Sequence, residues 1–381
     1  MPQGVTLSLL RASCLIAGAG MGTGVLSMPL AAEGLGLGSV LLAISVAAGA
    51  SLLVYLVLSE LTRRSDPPAQ LLNILSRHLF TGRWAKGFRT VFFVLFTFLL
   101  FQCLTTYVIA GSQALEAMSP VSGPAAMGVF CAAGLATSLF GLRTVAAWET
   151  VSVSLIAVTI VALTVLSTGH HARSIPLRFG QPLPTISLFA VFMYAFSAIF
   201  AVVQVAGHVP LAVDLRKALV IGLAINVAGT LAFVLAALTA SDVVTPVATI
   251  GLAASLTQPM ALVASSVFVL LAMLTSFWPA LIAFADVVHE ATGIQTAIGQ
   301  WMAAVPSLLM AALLPLALLD YVELGAGAIS LVIILLIIPA YRNAIARDPE
   351  APRLLGHFGG SRAVLVALGL IGTTMAIGGL L

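Results

Sequence analysis

Charged side chains are what this chain has least of. Asp, Glu, Lys and Arg make up 8% of its 381 residues, about a third of their usual share in a soluble domain. Hydrophobic residues make up 61%, and the mean hydropathy is +1.15, too apolar for a soluble core of this length. Cysteine is also sparse: Cys14, Cys103 and Cys131 fall in separate apolar segments without metal or redox spacing. That excludes a disulfide framework and leaves them as packing residues. Histidine is too thinly spread for a metal centre, since the pair His170-His171 stands alone. His289-Glu290 lacks the second histidine of a zinc protease, and no nucleophile and base share a helix face, which argues against an enzyme. The net charge of +3 comes from basic residues in short loops, so it reads as a topology signal and not as a nucleic-acid surface. A channel would need polar rings along a continuous pore, and most segments here are apolar.

What is present is a succession of apolar runs, each about 20 residues long, as an all-α polytopic membrane protein requires. Eleven transmembrane helices are expected near 8–31, 36–62, 87–117, 124–141, 145–168, 184–209, 217–240, 259–288, 296–318, 321–341 and 361–381. With the N-terminus cytoplasmic, every Lys and Arg except Arg173 and Arg178 falls on the inner side, giving an N-in, C-out protein of the cell membrane. The stretch 66–86, with Leu71, Leu72, Ile74, Leu75, Leu79 and Phe80 among basic residues, reads as a short amphipathic helix on the cytoplasmic face. The first span shows no small-residue exit site and is expected to remain in the mature protein.

The first span is broken by glycine where a membrane helix should be most regular: Gly18, Gly20, Gly22 and Gly24, with Pro29 beyond. Each glycine costs a helix roughly 1 kcal/mol relative to alanine, and backbone groups freed in hydrocarbon cost more unless something satisfies them. Such a segment predicts a cavity with something bound in it. A second interruption is expected in the sixth span, at Ala195, Ser197 and Ala198 among aromatics. Spans 1–5 and 6–10 then form halves of opposite orientation, 1–168 and 184–341, joined by an external loop at 169–183 and followed by a cytoplasmic loop at 342–360 and the extra helix at 361–381.

Interrupted helices supply chemistry without charged side chains. The N–H groups of Thr23, Gly24 and Val25 at a half-helix N-terminus, with Gly22 beside them, suit a carboxylate, and carbonyls of the two interrupted spans suit an ammonium. No Asp, Glu, Lys or Arg lies between Arg11 and Glu33 or between Phe179 and Asp214, which fits a zwitterion held by dipoles. Tyr107, Tyr194, Phe196, Ser197 and Phe200 are the candidates for side-chain recognition. If a proton is carried, Glu149, Asp286, His208 and His289 are the titratable candidates, all placed toward the cytoplasmic ends of their spans, where a charge is ordinarily solvated.

The run Gly18 to Pro29 resembles the Gly-x-x-Met-Gly-[Ser/Thr]-Gly-[Ile/Val]-Leu-x-x-Pro signature of the amino acid/auxin permeases, within the amino acid-polyamine-organocation superfamily. It is most similar to the bacterial tyrosine and tryptophan permeases. Thr106 to Gly111, Leu274 to Phe277 and Phe284 to Asp286 resemble further stretches of that family. At Ala195 to Ala198 the chain departs from the break of the aromatic permeases, which bears on aromatic specificity. The resemblance implies a LeuT-type fold of 5+5 inverted repeats with discontinuous helices 1 and 6. It implies ion-coupled symport of a neutral amino acid, aromatic or hydrophobic side chains included, by a monomer in the lipid bilayer. An amino-acid sensor on the same fold, or a transporter of another small amine or organic solute, is the alternative. Carbonyls near Gly18 and Met21 with the hydroxyls of Thr275 and Ser276 correspond to the family's sodium position, and Na+ or H+ is the coupling ion; no other cofactor is expected.

Overall fold

The computed structural model describes residues 6–65, 70–80, 83–168, 174–245, 247–313, 336–349 and 353–379. It is built from helices, and the apolar runs account for where they form. Two short helices, α1 (Leu9–Ala19) and α2 (Gly24–Ala32), together make the first span and meet at a bend of 57°. Then come α3 (Leu37–Arg63), α4 (Leu71–Leu79), α5 (Ala85–Met118), α6 (Pro124–Leu139) and α7 (Leu142–Thr168). The sixth span is again a bent pair, α8 (Pro182–Ala195) and α9 (Ile199–His208), meeting at 41°. Beyond it lie α10 (Ala212–Ala240), α11 (Ala248–Leu256), α12 (Pro259–Thr292), α13 (Thr296–Leu313), α14 (Ile338–Arg347) and α15 (Arg362–Gly378). The tenth expected span falls largely outside the described residues, so the count of eleven is not tested.

The surface turns its apolar side outward. Phe88, Val91, Leu95 and Phe98 on α5 recur at helical spacing and are each more than half exposed, and Val158, Val161 and Val165 on α7 behave likewise. In water such stripes would drive aggregation; around a multi-pass membrane protein they meet lipid. Among the six long apolar helices described, the most enclosed is α12: 78% of its apolar window is buried, against 39% for α7. It packs on α5, α7 and α13. Small residues set the close approaches, as membrane packing favours. A side chain on Gly222 of α10 would come within 2.6 Å of the Ser13 carbonyl on α1, so only glycine lets those two backbones lie together.

Two expectations change. The helix α4 does form, but its apolar residues Leu71, Leu72, Ile74 and Leu75 are buried within the protein and not laid on lipid. Its N-terminus is tied to the end of α12, where the Glu290 carboxylate accepts from the Gln70 N–H at 3.0 Å and from Asn73 at 2.5 Å, and Asp286 accepts from Gln70 Nε2 at 2.8 Å. The amphipathic pattern therefore reported burial against protein. The second change is α11, a short apolar helix between the expected spans 217–240 and 259–288, whose start is fastened by Thr245 accepting from the Gly251 N–H at 3.1 Å.

Candidate functional site

The two bends face one another at one cavity. Its walls include Gly22, Thr23 and Gly24 from the first break, Ser197, Ala198 and Phe200 from the second, and Tyr107 of α5 and Ser276 of α12. Glycine is required where the breaks cross. A Cβ on Gly24 would come within 2.9 Å of the Ala195 backbone and of the Tyr194 ring, and one on Gly22 within 3.0 Å of Ser276 Oγ. Among the described residues, no backbone carbonyl accepts from the N–H of Gly22, Thr23 or Gly24, nor from Ile199, Phe200 or Ala201 at the start of α9. Both half-helix N-termini thus open into the cavity with donors and a positive dipole end. The cavity itself is small, about 40 Å³, so a solute the size of an amino acid enters only when its walls move apart.

The side chains around these donors are sparsely polar. Thr23 Oγ1 and the Tyr194 hydroxyl lie 3.4 Å apart, while Ser197 Oγ has no hydrogen-bond partner. The second break is braced from behind: the Tyr55 hydroxyl on α3 donates to the Phe196 carbonyl and accepts from the Ala198 N–H at 3.4 Å. Pro279 of α12 also lines the cavity, and its carbonyl accepts from Gln204 Nε2 at 2.9 Å.

Not every expected residue joins the cavity. Tyr194 and Tyr107 line it, but Val25 and Phe196 do not. The Val25 N–H is already donated to the Gly22 carbonyl at 3.1 Å, and the Phe196 ring stacks on Phe192 at 6.0 Å between centroids. Of the residues assigned to an ion, Thr275 Oγ1 donates to the Gly18 carbonyl at 3.1 Å, and Ser276 Oγ donates to the Ala19 carbonyl at 3.3 Å. Met21 directs its side chain to α10, where a Cβ on Gly229 would meet its Cε at 3.1 Å.

The titratable candidates sit differently from their expected places. His289 is exposed, as expected near a helix end. Glu149, Asp286 and His208 are buried, and the last two carry hydrogen bonds, Asp286 from Gln70 and His208 Nδ1 with the Gln204 carbonyl at 2.7 Å. Glu149 is fully buried with both oxygens unpartnered. Position near a span end is a poor guide here, because neighbouring elements close over these groups: the start of α4 over Asp286, and α1 and α12 over Glu149. Two further polar residues escaped sequence reasoning. Tyr55 is one; Asn226 of α10, 1% exposed and set so that a Cβ on Gly20 would overlap its Nδ2, is the other. The signal for both was a lone polar residue inside an apolar run.

No protein-family model matches the chain, and no curated protein matches it in sequence. Solved structures do. One is MHP1, a nucleobase-cation-symport-1 family transporter in a closed conformation with bromovinylhydantoin bound; the TM-score is 0.73 over 99% of this chain and 91% of that one, at 15% identity. Another is MhsT in complex with L-phenylalanine, with a TM-score of 0.59 over 98% of this chain and 100% of that one, also at 15% identity. At that identity the likeness shows the fold: an all-helical, multi-pass membrane architecture of the LeuT type.

Proposed function

We propose that the protein is a secondary active transporter that carries a neutral amino acid together with a coupling cation by alternating access. The observation that supports this most is the meeting of two broken helices at one cavity, with unpaired N–H groups of both half-helices opening into it. A carboxylate is held at the start of α2 by the Gly22, Thr23 and Gly24 N–H groups, and the amino group by carbonyls at the ends of α1 and α8. Tyr107, Tyr194, Ser197 and Phe200 enclose the side chain. Residues 1–168 and 184–341 act as the two inverted repeats, and rocking of one bundle against the other opens the closed cavity to either side.

The basic residues support the N-in orientation. Arg63 donates to the Val209 carbonyl, Arg64 to the Asp348 carbonyl and Arg347 to the Arg77 carbonyl, all around one end of α3. Arg178 lies against Gly36 and Gly38 at the other end, about 40 Å away at 1.5 Å per helical residue. The arginine-rich end is the cytoplasmic one.

A second reading has its own support. The higher similarity is to a transporter holding a hydantoin, and a cavity walled by Tyr107, Tyr194 and Phe200 also suits a flat ring. One experiment decides. The purified protein, reconstituted in liposomes and offered neutral amino acids, hydantoins and nucleobases under sodium and proton gradients, accumulates an amino acid. Accumulation of only a heterocycle selects the second reading, binding without accumulation selects a sensor, and neither binding nor movement overturns the proposal.

A further inference from the structure

Glu149 is the buried charge that the substrate site leaves unused. It lies two turns inside α7 with no exposed surface, and neither carboxyl oxygen has a hydrogen-bond partner. Its Oε2 presses on the last turn of α1 before the break, so closely that a Cβ on Gly18 would overlap it. The same built Cβ would lie 2.9 Å from Thr275 Cβ, so α1, α7 and α12 converge at this point.

The hydroxyl protons at this point are already committed. The hydroxyl of Thr275 is spent on the Gly18 and Ala272 carbonyls and that of Ser276 on the Ala19 carbonyl, which leaves no proton from either for the carboxylate. Pro279, four residues on, has no N–H to return to the Thr275 carbonyl, so that acceptor lacks its usual helical donor. Among the described residues no basic side chain acts on Glu149, and the Arg64–Glu60 ion pair lies at the arginine-rich end. Of the titratable groups on the helices packed around α7, Cys14 on α1 is the one that faces Glu149; α12 turns Thr275 toward it, and α10 and α6 bring no charged group. A bare carboxylate among acceptors in a dry interior is strongly unfavourable, and a cation taken from solution removes that cost.

We propose, resting on the transporter reading above, that Glu149 supplies the negative charge of the coupling-cation site and that one Na+ ion is bound there against the end of α1. The site then differs from one made of neutral oxygens alone. Packing of α1 on α7 requires the charge to be neutralised, which ties the closed arrangement of the first break to the presence of the cation.

The test compares the wild type with Glu149→Gln, neutral and of the same shape, and with Glu149→Asp. Melting temperature of the purified protein is followed against Na+ at fixed pH, and against pH with choline replacing Na+. The wild type is stabilised by Na+ at fixed pH, Glu149→Gln is not, and Glu149→Asp responds with an affinity lower by about 10-fold. A response to pH with choline in place of Na+, without any response to Na+ at fixed pH, overturns the proposal. Equal responses in wild type and Glu149→Gln, or none in the wild type, overturn the proposal. In liposomes, a wild type that accumulates solute while Glu149→Gln does not under the same gradient supports it, and equal accumulation by both contradicts it. Should the wild type accumulate nothing, the transporter reading fails, and the melting curves still decide whether Glu149 binds the cation.

Discussion

The two interrupted spans reach similar shapes by different means. Between α1 and α2 the chain bends by 57° through Gly20 and Gly22, bounded by Gly18 and Gly24, and each of these glycines has a neighbour pressed where a Cβ would stand. Between α8 and α9 it bends by 41° through Phe196, Ser197 and Ala198, with no glycine at all. There the freed groups are met from another helix, by the Tyr55 hydroxyl of α3. The first break is thus encoded locally, in residues that disfavour helix and permit close approach; the second depends on a partner placed by the tertiary fold.

The comparison yields tests, the largest effect first. Gly24→Leu forces a side chain into the Ala195 backbone and the Tyr194 ring, and overpacking of that kind costs about 1–3 kcal/mol or more. Substrate binding by the purified protein should be lost while the protein still reaches the membrane; binding at wild-type strength would show that the first break is not the site. Tyr55→Phe removes one of the two donors to the Phe196 carbonyl, leaving only the Ala198 N–H at 2.9 Å, a loss of about 0.5–1.5 kcal/mol. Its melting temperature should fall and substrate affinity drop by roughly 10-fold, and an unchanged melting curve would mean that the second break stands without its brace.

Thr275→Val removes the hydroxyl that donates to the Gly18 carbonyl, worth about 0.5–1.5 kcal/mol. Cation dependence of transport should weaken with substrate affinity little changed; the reverse pattern would place the Thr275 contact at the substrate and not at the ion. Ser197→Ala is the mildest. Its hydroxyl has no protein partner, so stability should be unaltered, and only affinity should fall, by roughly 3- to 10-fold for one lost neutral hydrogen bond. A substitution without effect on affinity would show that the second break contributes backbone alone.

The asymmetry between the breaks also explains what could be read in advance. Gly18 to Gly24 announces itself by composition, because four glycines in a spanning segment contradict the segment's own requirement for helix. The interruption at Ser197 rested on small residues between aromatics, a weaker signal, since the brace at Tyr55 is far away in sequence. Val25 and Phe196 show the limit of such reading: each adjoins a break, yet one N–H is consumed within its own turn and one ring is taken by Phe192. Adjacency along the chain does not say which side of a helix faces a cavity when the unwound turn has no regular period.

Composition and pattern determined the membrane class, the order of the spans, the two points of interruption and the predominance of dipoles over charges at the cavity. Those follow from the solvent: hydrocarbon requires long apolar runs, and it makes any departure from helix conspicuous. Only the tertiary structure decided that Glu149 and Asn226 lie against the first break and Tyr55 behind the second, and that α4 is buried against protein. The reason is that burial of a polar side chain is set by which helix is packed against it, and helices distant in sequence are brought together by the fold.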